Sequence, residues 1–216
     1  MNSAFIFDMD GVLIDSNPFH KIALQQFCKQ HGHDLNDEQL REKIYGRTNK
    51  DWLRNLFGDL DKKLLLQYAD EKEALFRELY KKDVRALEGL IPFLAKLKEQ
   101  EIPRAIATSA PRPNVDFTFE YTEIGQFFTT VLDESFVSKG KPDPEIYLKS
   151  AQALGFDPAQ CIVFEDSLSG IEAGKAAGCK VVGVTTTHTP EEMTKTDFII
   201  DNFIGLTPQS LISRLF

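Results

Sequence analysis

The feature that most constrains this chain is a repeated kind of short apolar run that breaks off abruptly at polar residues. Ala4-Phe5-Ile6-Phe7 ends at Asp8-Met9-Asp10-Gly11, and Cys161-Ile162-Val163-Phe164 ends at Glu165-Asp166. Arg104-Ala105-Ile106-Ala107-Thr108 leads into Ser109, and Val181-Val182-Gly183-Val184 and Phe198-Ile199-Ile200 are runs of the same kind. None alternates polar with apolar, so none reads as a strand with one wet face. Runs of this length suit strands covered on both sides, as in a parallel sheet. Helical stretches separate them. Gly89 to Gln100 puts Leu90, Phe93, Leu94 and Leu97 on one face, and Pro144 to Leu154 does so with Ile146, Tyr147, Ala151 and Leu154. Ser167 to Ala177 stops at Gly178, a residue suited to the position just past a helix end. Strand and helix in this rhythm predict βαβ units, an α/β fold and a parallel sheet with helices packed against it.

Residues 15–82 break the rhythm, because they hold no strand candidate. Ser16 or Asn17 suits a helix cap with Pro18 in the first turn and Gly32 at the far end, and Phe19, Ile22, Ala23 and Phe27 form its apolar stripe. Leu40 and Ile44 mark a short helix, and Trp52, Leu53, Leu56 and Phe57 mark another. A long helix runs from Leu64 to Tyr80, with Leu65, Tyr68, Ala69, Lys72, Phe76 and Tyr80 in register. The expected organisation is a core of residues 1–14 and 83–216 with an all-helical domain, residues 15–82, inserted after the first strand.

Composition narrows the function classes. The formal net charge of −8 argues against a nucleic-acid or anionic-membrane binder, which wants a basic face. Cys28, Cys161 and Cys179 are an odd number and contain no CxxC, so a disulfide framework is not expected and the reducing cytoplasm is. No 18-residue apolar run suggests a membrane span, and Asp8, Asp10 and Asp15 interrupt any signal-peptide core.

In open parallel sheets, ligands bind beyond the carboxyl ends of the strands. The polar residues that follow the runs are therefore weighed together: Asp8 and Asp10 with Gly11 as a turn, Thr108 and Ser109, and Glu165 with Asp166. Lys141, in Gly140-Lys141-Pro142-Asp143-Pro144, is the cation among them. Carboxylates crowded at one sheet edge repel one another unless a cation neutralises them, and Mg²⁺ takes a few carboxylates together with phosphate oxygens. That chemistry is phosphoryl transfer. Asp8 is the candidate nucleophile, Asp10 the acid and base, Thr108 and Ser109 the phosphoryl contacts, Lys141 the charge partner, and Asp166 with Glu165 the metal-holding pair. Each piece also has a plain structural reading as a turn, a cap or a helix start.

Phe7-Asp8-Met9-Asp10-Gly11-Val12, Ala107-Thr108-Ser109, Gly140-Lys141-Pro142-Asp143-Pro144 and Phe164-Glu165-Asp166-Ser167 with Gly170 resemble, in that order, the four motifs of the haloacid dehalogenase superfamily. The resemblance spans the chain, and the inserted helices match the position of the helical cap in the β-phosphoglucomutase-like branch. It implies a Rossmann-like core, Mg²⁺ dependence, Asp8 as nucleophile and Asp10 as acid/base. It also implies a metal held by the Asp8 side chain, the Asp10 carbonyl and Asp166, with Glu165 adjacent. An acid at position 10 is the phosphoryl-transfer pattern, since halide displacement needs no proton donor.

The resemblance assigns substrate choice to the cap. Arg47, within Gly46-Arg47-Thr48, lies where the branch carries a specificity loop, and its fork of donors suits a phosphate or carboxylate. Lys72 lies where the mutase has a substrate-contacting lysine, although its neighbours Glu71 and Glu73 read as a solvated helix face. His20 matches a histidine of the mutase, and Arg112 either reaches the phosphate or begins a helix. Thr108 replaces a Ser of the mutase, and Ala110-Pro111-Arg112-Pro113 departs from its sequence. The expected protein is a monomeric, cytoplasmic Mg²⁺-dependent phosphatase for a small phosphorylated metabolite. A sugar phosphomutase is the alternative, and a silent binding module on the same fold is a third.

Overall fold

In the computed structural model, residues 3–44 and 49–216 are described. In chain order, β1 (Ala4–Phe7) is followed by α1 (Asn17–Gln30), α2 (Asp37–Lys43), α3 (Asn49–Phe57), α4 (Lys62–Tyr80) and α5 (Leu90–Glu99). Then come β2 (Arg104–Ala107), α6 (Arg112–Tyr121), β3 (Thr130–Leu132), α7 (Glu145–Leu154), β4 (Cys161–Glu165) and α8 (Leu168–Ala176). β5 (Lys180–Val184), β6 (Phe198–Ile200) and α9 (Pro208–Leu215) complete the chain. Two compact units result, one of Met1–Asp15 with Val84–Phe216 and one of Ser16–Asp83.

The first unit holds a six-stranded sheet in the order β3-β2-β1-β4-β5-β6, with every pairing parallel. All four residues of β1 are buried, as a central strand covered on both faces requires. Ala4 and Ile6 join Ile146, Tyr147, Ala151 and Ile171, from α7 and α8, in one core layer. On the alternate positions, Phe5 and Phe7 meet Phe93 of α5, with ring centroids 6.0 and 6.4 Å apart. Phe7 stacks on Phe164 with centroids 4.7 Å apart and planes 1° from parallel, and Phe203 closes the cluster 5.3 Å from Phe164.

The expected strands are all present. The run pattern misses β3, and the reason is physical. Like β6 it is a three-residue edge strand with two half-buried positions, but it opens on Thr130, which leaves only Val131 and Leu132 as an apolar run. Ser167 caps α8 by accepting from the Gly170 N–H, and Gly178 follows that helix with φ +87°.

The second unit is helical in its described residues and has its own core. Phe27 is its hub, with Trp52, Phe57 and Tyr68 rings at 5.8, 6.1 and 5.7 Å. The α1 stripe differs from expectation at one position. Ala23, Leu24, Phe27 and Cys28 are buried, whereas Ile22 is 40% exposed, because it falls on the opposite side of the helix from those four. No helix among the described residues is long and apolar enough to cross a membrane.

Phe7 touches both strand and helix partners in its aromatic layer, so Phe7→Ala is expected to cost about 3–5 kcal/mol in urea unfolding. A cost under about 1 kcal/mol would mean that this layer collapses around the gap rather than holding the sheet.

Candidate active site

Strand order decides where polar groups can meet. Successive strands run outward from β1 on one side and from β4 on the other, which opens a crevice between their carboxyl ends. Phe7 lies opposite Phe164 in the register, so Asp8, just past β1, comes beside Glu165, the last residue of β4. The Asp8 N–H donates to the Phe164 carbonyl at 3.0 Å, and this bond extends the ladder one residue past β1. The chain then turns back: Gly11 has φ +75° and its N–H donates to the Ile14 carbonyl at 2.7 Å. A left-handed residue is needed there, and glycine takes it without strain.

Lys141 brings the motifs together. Its Nζ lies 2.8 Å from Asp8 Oδ1 and 2.6 Å from Glu165 Oε1, and it also reaches the Ala107 carbonyl at 3.4 Å. Glu165 is fully buried and its bonds are shared out. Oε1 accepts from Lys141 and, at 2.5 Å, from the Tyr147 hydroxyl, while Oε2 accepts from the Ser167 hydroxyl and N–H at 3.0 and 3.2 Å. Gly170 makes room for this carboxylate, since a Cβ there would sit 1.8 Å from Oε1 and 2.0 Å from Cδ. Asp166, also buried, accepts from the Thr187 hydroxyl. Thr108 is buried where β2 ends, its Oγ1 accepting from the Ala110 N–H at 3.0 Å.

Burial governs the electrostatics. It pushes Asp8 well above the ordinary carboxylate range, helped by Glu165, Asp166 and Asp10 and opposed by Lys141. Asp166 is pushed up to about 7, first by burial and then by Glu165, against the Thr187 hydrogen bond. Burial alone would lower Lys141, but Asp8 and Glu165 hold it above the usual lysine value, so it stays charged. Burial and the Glu165 charge raise Tyr147 well above an ordinary phenol, which keeps its hydroxyl a donor.

Asp8, Glu165 and Asp166 each offer a carboxylate oxygen, all within 4.8 Å of one another. Three acids facing Lys141 form a hard-oxygen set, and that donor chemistry fits a divalent cation such as Mg²⁺.

The other expected site residues divide by place. Asp10 lies in the turn after β1, next to the acidic set, and Ser109 is exposed beside Thr108. Arg112 begins α6 and pairs with Asp116 at 2.8 Å on the exposed side of that helix, so its described contact is away from the acids. Arg47 lies outside the described residues. In the helical unit, Lys72 and His20 come together, with Nζ 3.4 Å from Nδ1, and the His20 ring stacks on Phe76 at 3.6 Å. The solvated-face reading of Lys72 is corrected: the residue is 5% exposed and its Nζ lies 2.5 Å from Glu73 Oε1. A run of charges hides this, because i and i+1 neighbours point apart on an ideal helix face and only burial draws the long side chains together. Tyr147 and Thr187 are site contacts that the sequence does not flag. Tyr147 reads as one member of an apolar stripe, and Thr187 reads as one of three consecutive loop threonines.

A carboxyl whose folded pKa is raised favours the fold most when protonated. That stability is complete below its unfolded pKa of about 3.8 and is lost as pH rises through about 7 for Asp166. In chelator, wild type is therefore expected to lose melting temperature relative to Asp166→Asn between about pH 4 and pH 8, with a divalent cation restoring it at the upper end. Differential scanning fluorimetry of both proteins checks this, and a pH-independent difference would contradict it.

A family model described as haloacid dehalogenase-like hydrolase matches residues 5–184. The chain is 34% identical over 187 residues to a phosphorylated carbohydrates phosphatase of Thermotoga maritima, covering 84% of each protein. It superposes with a TM-score of 0.90 and 31% identity on a family IA, variant 3 haloacid dehalogenase hydrolase of Entamoeba histolytica, covering 100% of this chain and 99% of that one. A β-phosphoglucomutase structure from Clostridium difficile matches with a TM-score of 0.86 and 26% identity, over 100% and 97%. Motifs, fold and site geometry thus agree, and the chain belongs to the haloacid dehalogenase-like hydrolase family.

Proposed function

We propose that this hydrolase is a Mg²⁺-dependent phosphatase that releases phosphate from a small phosphorylated metabolite through an aspartyl-phosphate on Asp8. The observation that carries the reading is the setting of Asp8. It is a buried carboxylate at the end of the central strand, 2.8 Å from Lys141 Nζ and grouped with Asp166 and Glu165. Relatives that are phosphatases of phosphorylated carbohydrates and of hexitols support the substrate class.

In this reading Asp8 and Asp166, with the Asp10 carbonyl, would hold the cation. When bound, the cation supplies positive charge against the phosphoryl oxygens and allows Asp8 to act as an anion beside other acids. An Asp8 carboxylate oxygen attacks phosphorus, the bond from phosphorus to the substrate oxygen breaks, and Asp10 gives that oxygen its proton. Asp10, now ionised, takes a proton from water as the water attacks the aspartyl-phosphate. Asp8 is regenerated and inorganic phosphate leaves. Thr108, at the end of β2, orients the phosphoryl group. Lys141 holds Asp8 in place and offsets the charge that builds on the transferring oxygens. Glu165, bonded to Lys141, Tyr147 and Ser167, anchors that lysine.

Sugar phosphomutase action is the second reading, in which a sugar hydroxyl rather than water accepts the phosphoryl group. The likeness to a β-phosphoglucomutase and the joining of His20 with Lys72 favour it. Phosphorus NMR with Mg²⁺ and with chelator separates the two. The panel is β-glucose 1-phosphate with a trace of the 1,6-bisphosphate, other sugar phosphates, phosphoglycolate and pyrophosphate. Phosphatase action yields a chelator-sensitive inorganic phosphate signal, and migration from the 1- to the 6-position with little free phosphate supports the mutase. Asp8→Asn is expected to lower turnover by at least about 10³-fold with an unchanged circular dichroism spectrum. Retention of a substantial fraction of activity would remove Asp8 from the nucleophile's role.

A further inference from the structure

Three consecutive threonines follow β5, and each sends its hydroxyl to a different strand exit. Thr185 Oγ1 donates to Asp201 Oδ1, just past β6, at 2.7 Å. Thr186 Oγ1 donates to the Gly11 carbonyl, in the turn after β1, at 2.6 Å. Thr187 Oγ1 donates to Asp166 Oδ2, just past β4. The root of this loop is fixed by the backbone, since the Thr185 N–H donates to the Ile200 carbonyl at 3.0 Å and the Thr186 N–H to the Val184 carbonyl at 2.9 Å.

We infer that Thr187 is a positioning residue for cation binding, its hydroxyl fixing the carboxylate of Asp166 within the acidic set; the inference rests on the cation reading given above. Asp166 follows Glu165 directly and shares its cluster with Asp8, so like charges push its carboxylate aside unless something orients it. Glu165 is oriented by a cation, Lys141. The threonine does the same for Asp166 with a neutral donor, which sets the plane of the carboxylate without adding positive charge against it. Groups that orient metal-ligating carboxylates in this way change affinity when removed. The Thr186 hydroxyl on the Gly11 carbonyl ties the same loop to the turn that carries Asp10, so the donor of Thr187 comes from a loop held on both sides of the acidic set.

Removal of the hydroxyl by Thr187→Val keeps the shape, and Thr187→Ser keeps the donor. Thr187 is exposed, so neither change disturbs the core. Binding of Mn²⁺ to the full chain, without substrate, is read by electron paramagnetic resonance of the free ion, with melting temperature as a check on folding. Thr187→Val is expected to bind Mn²⁺ about 10–100-fold more weakly than wild type, and Thr187→Ser to recover most of that loss. Wild-type affinity in Thr187→Val overturns the inference. Equal weakness in Val and Ser overturns it too, because the methyl or the loop packing would then be responsible. A wild type that binds no Mn²⁺ overturns the cation reading itself, and this inference with it, a result distinct from equal binding by wild type and variant.

Discussion

Lys141 is the group on which the rest of the site depends. Its ammonium is buried, and so are the two carboxylates that it bridges, Asp8 at 2.8 Å and Glu165 at 2.6 Å. Charges taken out of water cost several kcal/mol each, on the order of what a close partner returns, so such an arrangement persists only when every lone pair and proton is used. Glu165 meets that condition through Tyr147 and Ser167, in a pocket that Gly170 leaves open. Asp8 meets it only in part, and burial beside Asp166 and Asp10 keeps its carboxyl well above the usual range. The network is thus balanced for Glu165 and unbalanced for Asp8, the side chain to which the proposed mechanism gives the nucleophile's work.

The sheet makes that imbalance tolerable. β1 and β4 are central, paired in register and covered on both faces, with Phe7 and Phe164 stacked directly beneath the acids. A packed aromatic layer does not yield easily to repulsion between groups one residue away, because a close-packed interior transmits strain rather than absorbing it. Glu165 is the last residue of β4, and Asp8 and Asp166 come immediately after β1 and β4, where the scaffold is stiff and the strand-order reversal opens its crevice. Chemistry placed on loops is thereby held with strand-like precision.

The helical unit follows a different logic. Its core around Phe27 and Trp52 is ordinary aromatic packing, yet Lys72 and Glu73 are both buried within it, with the Asn49 amide also on Glu73 at 3.3 Å. A buried pair of this kind is weak evidence for stability. Its juxtaposition with His20 makes this part of the unit a largely buried polar cluster rather than a solvated face.

Much of the fold and the heart of the site are legible in the amino-acid sequence, for local reasons. A strand covered on both faces must be apolar throughout, so Ala4–Phe7 and Cys161–Phe164 announce themselves, and the residues that end them, Asp8, Glu165 and Asp166, stand out as polar groups at strand exits. β3 is not legible, because with Thr130 first only Val131 and Leu132 remain as an apolar run, whereas β6, the other edge strand of three residues, is apolar throughout. The roles of Tyr147 and Thr187 are not legible either. A tyrosine on an apolar helical stripe reads as core until Glu165, 18 residues on, is found at its hydroxyl, and Thr187 reads as loop until Asp166, 21 residues before it, is found at its own. The sequence by itself determined five of the six strands and which residue types stand at their ends, since both follow from periodicity and burial. Only the tertiary structure decided that Glu165 receives Tyr147 and Ser167 and that Asp166 receives Thr187. Lys141 stands in the loop before α7, and the fold brings it across 133 residues of sequence to Asp8 and, with the same ammonium, to Glu165.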